Sequence, residues 1–214
     1  MAIIVPTILT NDAGKYRSFI EAYYHFAKRI QVDISDGLFT PNPTVSETGI
    51  WWPSGWLCDV HMMVSMPSTH VDNLRTLNPN MVIFHAEVQE DLMPSLMRLK
   101  DAGIKVGVAL LKTSFPGKYA DYIRAVDHAL LFSGNLGSYG GEADLLQLEK
   151  VEVLRSINPD IEVGWDGGAK MDNVREIARA GVDIINVGSA IAAAEKPREV
   201  FEIMSAEARR GSEV

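Results

Sequence analysis

The stretch Ala102-Gly103-Ile104-Lys105-Val106 returns later in the chain as Ala180-Gly181-Val182-Asp183-Ile184. Each copy ends a run of helical periodicity with a glycine, where a left-handed residue is wanted, and then opens an apolar run. Asn78-Pro79-Asn80 and Asn158-Pro159-Asp160 form a second echo, again just ahead of apolar runs. A recurring helix–glycine–strand unit points to a repeated β/α architecture.

Working outward, short runs rich in Val, Ile, Leu, Met or Phe occur at Ile3–Thr10, Arg29–Ile34, Leu57–Val64, Met81–Glu87, Val106–Leu111, Ala129–Ser133, Ile161–Asp166 and Ile184–Gly188. Their near-continuous apolarity means that both faces are buried, as in a parallel sheet. Between them lie segments with one apolar stripe, such as Leu92, Leu96 and Leu99, or Val200, Ile203, Met204 and Ala208. That spacing marks helices that cover the sheet. Eight such units in 214 residues predict a compact (β/α)₈ TIM barrel, with residues 1–214 as a single domain. An open doubly wound sheet is the competing architecture, but the first strand runs into Thr10-Asn11-Asp12 with no Gly-x-Gly-x-x-Gly turn. The second unit is the least regular: Thr44 to Trp56 carries Trp51, Trp52, Pro53 and Gly55 with little periodicity, so a short or irregular helix is expected.

The balance of 20 basic against 28 acidic side chains, a formal charge of −8 with no basic cluster, disfavours nucleic acid and anionic membranes as partners. The start Met1-Ala2-Ile3-Ile4-Val5-Pro6 lacks a basic signal-peptide region, and no apolar stretch reaches the ~18 residues needed to span a bilayer. The lone Cys58 sits in an apolar run, which suggests a buried thiol in a reducing compartment. A soluble cytoplasmic protein is therefore expected. Trp51 and Trp52, if exposed, hint at contact between copies in a homo-oligomer or at a lid.

In a barrel of this kind the site lies where the strands end, so polar residues that interrupt apolar runs there are the candidates. Alternation points Gln31 and Asp33 to the same side, the third run supplies His61, and Asp166 precedes Gly167-Gly168. Any one of these has an ordinary explanation as a cap, a turn residue or a satisfied core histidine. Four at three barrel mouths suggest a shared site. Glycines after the last strands (Gly140 and Gly141, Gly167 and Gly168, Gly188), with Ser189 opening a short helix, offer backbone N–H groups to a phosphate.

Read together, Val5-Pro6-Thr7-Ile8-Leu9-Thr10, Val32-Asp33-Ile34-Ser35-Asp36-Gly37-Leu38-Phe39-Thr40-Pro41-Asn42, Asp59-Val60-His61-Met62-Met63, Gly107-Val108-Ala109-Leu110, Asp166-Gly167-Gly168 and Val187-Gly188-Ser189-Ala190-Ile191 resemble the ribulose-phosphate 3-epimerase family, in order and over nearly the whole chain. The resemblance implies a phosphate-binding (β/α)₈ barrel that interconverts D-ribulose 5-phosphate and D-xylulose 5-phosphate through a metal-stabilised enediolate. It further implies that Asp33 and Asp166 are the acid and base on opposite faces of the substrate carbon, beside a divalent metal (Zn, Fe(II), Mn or Mg). Gln31, Asp33, His61 and Asp166 stand at the four ligand positions, Gln31 where the family has its first histidine. Thr7, His61 and Met63 fall at substrate-contacting positions. Thr7 replaces a serine, Ser35 and Phe132 replace methionines, and the loop after the sixth strand carries Leu136-Gly137-Ser138-Tyr139 instead of Pro-Gly-Phe.

Two other functions compete. The same barrel hosts isomerases and lyases of phosphorylated ketoses, although Asp33-Ile34-Ser35-Asp36 lacks the lysine of the Asp-x-Lys-x-x-Asp decarboxylase signature. A non-catalytic sugar-phosphate binder would result if Gln31 had ended metal binding.

Overall fold

A computed structural model describes residues 1–138 and 140–213, so Tyr139 of the sixth loop lies outside the described residues. In chain order the elements are β1 (Ile3–Ile8), α1 (Ala13–Tyr23), β2 (Arg29–Ser35), β3 (Leu57–Met63), α2 (Val71–Leu77), β4 (Met81–His85), α3 (Met93–Asp101), β5 (Lys105–Leu110), α4 (Ala120–Ala125), β6 (His128–Phe132), α5 (Lys150–Ile157), β7 (Glu162–Asp166), α6 (Val174–Arg179), β8 (Ile184–Val187), α7 (Ser189–Ala192) and α8 (Pro197–Ser212). The strands pair in sequence order, and β1 closes on β8 in parallel. The barrel is closed and the open sheet is excluded.

Local chemistry explains the repeats. Gly103 and Gly181 hold φ of +79° and +92°, the left-handed conformation that ends a helix and turns the chain into the next strand. Asn78, at φ +54°, does the same for α2. Leu92, Leu96 and Leu99 are all buried, as their spacing predicts. The stripe on α8 is narrower than its sequence suggests. Met204 and Ala208 are buried, whereas Ile203 is 48% exposed, because α8 leans on α6 through Gly211, where a side chain would collide with the Arg175 carbonyl.

The second unit has no helix among the described residues between β2 and β3. Individual contacts hold it instead. The Thr44 hydroxyl donates to the Asp33 carbonyl and accepts from Ser35 N–H, Tyr16 Oη donates to the Trp51 carbonyl at 2.6 Å, and Ile50 and Trp56 are buried.

Alternation along each strand divides the core in two. Val32, Val60, Val82, Val106 and Leu131 belong to the large layer against the helices, while Met81, Ile83, Ala109 and Leu130 form a separate small cluster inside the barrel. Below that plug, Arg29 pairs with Asp59 at 2.6 Å and with Glu162 at 2.8 Å, Asn80 donates to Asp59, and Glu162 also meets His128 Nδ1 at 2.9 Å. Above it lie the residues of the site.

Candidate active site

The register that closes the barrel sets the site. Asp33 on β2 pairs with His61 on β3, and Phe132 on β6 pairs with Asp166 on β7, which in turn pairs with Asn186 on β8. Inward side chains at matching heights therefore meet at the mouth. His61 Nδ1 lies 3.1 Å from Asp33 Oδ1 and 3.8 Å from Asp166 Oδ2. Ligand atoms of Asp33, His61 and Asp166, all buried residues, fall within 4.8 Å of one another.

Gln31 is also present, but as a donor. Its Nε2 gives hydrogen bonds to Asp33 Oδ1 at 2.9 Å and Asp166 Oδ2 at 2.5 Å, while its buried Oε1 has no partner. Between two carboxylates an amide nitrogen is attracted and an amide oxygen repelled, which fixes this orientation.

Burial first, and then the facing Asp33 charge, raise the Asp166 carboxyl well above the ordinary carboxylate range. Burial would lower His61, but the Asp33 hydrogen bond and the two carboxylate charges outweigh it and hold the imidazole up. A carboxyl that holds its proton near neutrality, close to one facing the same space, is the arrangement expected of an acid–base pair.

A cleft opens above the pair. Thr7, Asp33, Met63, Phe132, Asp166 and Asn186 line its floor, and Gly134, Gly137, Gly140, Gly167, Gly168, Gly188 and Ser189 line its rim. The expected phosphate-loop glycines thus gather in one place, except Gly141, which packs beside Asn135 and does not line the cleft. Part of this glycine usage is structural. Gly167 and Gly168 hold φ of +108° and +71°, and a side chain on either would collide with the backbone at Gly134 or Ala143. Glycine here lets the loops after β6 and β7 touch, which brings their N–H groups to one rim.

Two residues escaped the sequence reading. His85, at the end of β4, places Nε2 at 2.9 Å from His61 Nε2, with the Phe39 ring 4.8 Å away. Burial pushes its pKa down to about 4, so it is neutral at physiological pH. Asn186 is buried against the cleft with its Oδ1 unpartnered. Both interrupt apolar runs at strand ends, the same signal that exposed His61 and Asp166.

A profile of the ribulose-phosphate 3-epimerase family matches residues 3–192. The chain belongs to that family. It is 31% identical over 220 residues to the ribulose-phosphate 3-epimerase of Escherichia coli, covering 96% of this chain and 95% of that one. The corresponding Helicobacter pylori protein is also 31% identical, over 88% and 89% of the two chains. The expectation of an isomerase of the epimerase kind holds at this level. Among solved structures, 3-hexulose-6-phosphate synthase from Salmonella typhimurium superposes with a TM-score of 0.75 at 13% identity, over 98% of this chain and 99% of that one. Orotidine 5'-phosphate decarboxylase from Pyrococcus horikoshii gives 0.68 at 17%, over 97% and 99%. These two share the barrel fold. Gln31 stands where the family resemblance led one to expect a histidine.

Proposed function

We propose that this protein interconverts D-ribulose 5-phosphate and D-xylulose 5-phosphate by moving a proton on and off C3, with Asp33 and Asp166 as the two proton-transferring groups. The observation that carries the reading is the pair itself: two buried carboxyls on separate strands, facing one space, one of them held in its protonated range. Epimerisation needs a base on one face of the carbon and an acid on the other, and their roles exchange in the reverse direction.

The phosphate would lie on the rim, where Gly140, Gly167, Gly168, Gly188 and Ser189 supply backbone donors. That anchor leaves the ketose end over the carboxyls. Thr7, Met63 and Asn186 would contact its hydroxyls and carbon skeleton, and Phe132 would cover it.

The residues present suit a divalent cation. Asp33, His61 and Asp166 converge, and the unpartnered Oε1 of Gln31 would join them if its amide turned over. Bound there, the ion would supply Lewis-acid stabilisation of the charge that develops on the substrate's C2 and C3 oxygens. An amide oxygen in place of an imidazole favours manganese or magnesium over zinc or iron(II). A lone buried Cys58 fits a reducing cytoplasm.

The test is an assay of the purified protein on D-ribulose 5-phosphate with each of the four metals, alongside its metal content. Formation of D-xylulose 5-phosphate, strongest with manganese or magnesium, is expected. Tight binding of the sugar phosphate without turnover under any metal would favour a non-catalytic binder.

A further inference from the structure

We propose that His85 and Glu87 are positioning residues: through the chain Glu87–His85–His61 they keep the proton of His61 on Nε2, so that Nδ1 is the ring atom presented to Asp33 and Asp166. The inference rests on reading the Asp33, His61 and Asp166 cluster as the cation site, and neither His85 nor Glu87 is one of its ligands.

The geometry runs through two rings. His61 Nε2 stands 2.9 Å from His85 Nε2, and His85 Nδ1 stands 3.4 Å from Glu87 Oε2. Glu87 is fixed at the far end, because its Oε1 accepts the Leu111 N–H at 2.8 Å. Two imidazole nitrogens this close share one proton, so one ring donates and the other accepts. Glu87 decides which. A carboxylate can only accept, so the proton of His85 sits on Nδ1, and its Nε2 is left as the acceptor. His61 must then carry a proton on Nε2. Its Nδ1 is thereby the atom that faces Asp33, whether it donates to the carboxylate or offers its lone pair to a cation.

At His85 only Glu87 sets this direction, since the other neighbours are the Phe39 and Phe132 rings, with centroids 4.8 and 5.8 Å away and no hydrogen-bonding group. At the other end of the relay Asp33 Oδ1, 3.1 Å from His61 Nδ1, accepts a proton from that nitrogen, and a cation would take that proton's place, so what the relay itself fixes is the proton on Nε2. Both histidine side chains are fully buried. A histidine that binds a metal through one nitrogen generally needs the other to donate to a fixed acceptor, and loss of that acceptor lowers metal affinity. Here the acceptor is a second histidine, oriented in its turn by a carboxylate.

The experiment is ¹⁵N NMR of the imidazole nitrogens in the full-length protein, with and without Zn²⁺, together with Zn²⁺ affinity by calorimetry. The wild type is expected to show His61 protonated on Nε2 and His85 protonated on Nδ1 in both states. Glu87→Gln should reverse the relay. Its Oε1 stays on Leu111 N–H, its amide nitrogen then faces His85 Nδ1 as a donor, and both rings exchange tautomers, leaving His61 with a proton on Nδ1. His85→Phe removes the acceptor altogether, and its Zn²⁺ affinity should fall about 10–100-fold. His85→Gln, whose Oε1 can accept from His61, should recover most of it. A merely structural role for His85 and Glu87 would lower thermal stability and leave the His61 tautomer as it was. The proposal is overturned if His61 Nε2 is bare in the wild type, or if Glu87→Gln leaves both tautomers unchanged. Should the wild type show the expected tautomers yet take up none of Zn²⁺, Mn²⁺ and Mg²⁺, the relay stands and the metal reading of the site falls.

Discussion

At the closed end of the barrel, Asp59 and Glu162 face the Arg29 guanidinium; at the open end, Asp33 and Asp166 face each other across the Gln31 amide. The consequences run in opposite directions. Burial would raise Glu162, but the hydrogen bonds from His128 and Arg29 hold it well below the ordinary glutamate range. Burial also acts on Asp166, and there the Asp33 carboxylate pushes the same way; together they outweigh the opposing pull of His61 and the Gln31 amide, and the group is held up. Strand geometry is the same at both ends. What differs is whether a permanent cation was built in beside the carboxylates. The closed end carries the Arg29 guanidinium, whereas the open end has the His61 imidazole, whose protonation depends on the carboxylates themselves.

Substitutions at the two ends should therefore fail differently. The largest effect belongs to the mouth: Asp33→Asn or Asp166→Asn should reduce epimerase turnover roughly 10²–10⁴-fold, with the circular dichroism spectrum unchanged. At the closed end, Arg29→Met strands Asp59, whose side chain is only 2% exposed, with Asn80 alone. Unfolding in urea should show a loss of about 3 kcal/mol, with divalent-ion affinity untouched. Equal damage to ion affinity would mean that the two ends are not independent.

Smaller effects sharpen the contrast. Gln31→His replaces a neutral oxygen with an imidazole and should raise zinc affinity about tenfold by calorimetry. Glu162 has a folded pKa below its unfolded one, so its contribution to stability is complete above the ordinary glutamate value of 4.5 and is lost as the pH falls below it. Glu162→Gln should accordingly be least stable relative to wild type at neutral pH, with the gap closing in acid. The smallest expected effect is a gain. In the metal-free protein Asp166→Asn relieves the carboxylate confrontation and should raise the melting midpoint by about 2–4 °C, corresponding to roughly 1 kcal/mol. A lower midpoint would mean that Asp166 stabilises the fold as an anion.

How much of this could be read in advance follows from the same physics. All eight strands are where apolar runs predict them, because both faces of a parallel strand are buried and polar interruptions stand out. Asp33, His61 and Asp166 stood out for that reason. His85 and Asn186 carry the same signal but lie in isolation, each a single polar residue in a run with no flanking motif. The second loop was illegible in detail, since Thr44, Tyr16 and Trp51 hold it by individual hydrogen bonds that have no period. The need for glycine at Gly167 is equally invisible from the chain alone, because the obstruction is Gly134, brought in by a different strand. Gln31 was visible as a departure, but that its amide spans both carboxylates required the folded geometry.

The most direct measurement of the two-aspartate assignment is deuterium uptake at C3 in D₂O, followed by NMR for wild type, Asp33→Asn and Asp166→Asn on each of the two pentulose phosphates. Wild type should place deuterium at C3 of the sugar it forms, because the acid that reprotonates the carbon exchanges with solvent. Each variant should lose epimerisation, while the one sugar whose C3–H faces the surviving aspartate still exchanges its proton, with the two variants favouring opposite sugars. Formation of D-xylulose 5-phosphate without deuterium at C3, or wild-type epimerisation by either variant, would contradict the assignment of Asp33 and Asp166 as the proton-transferring pair.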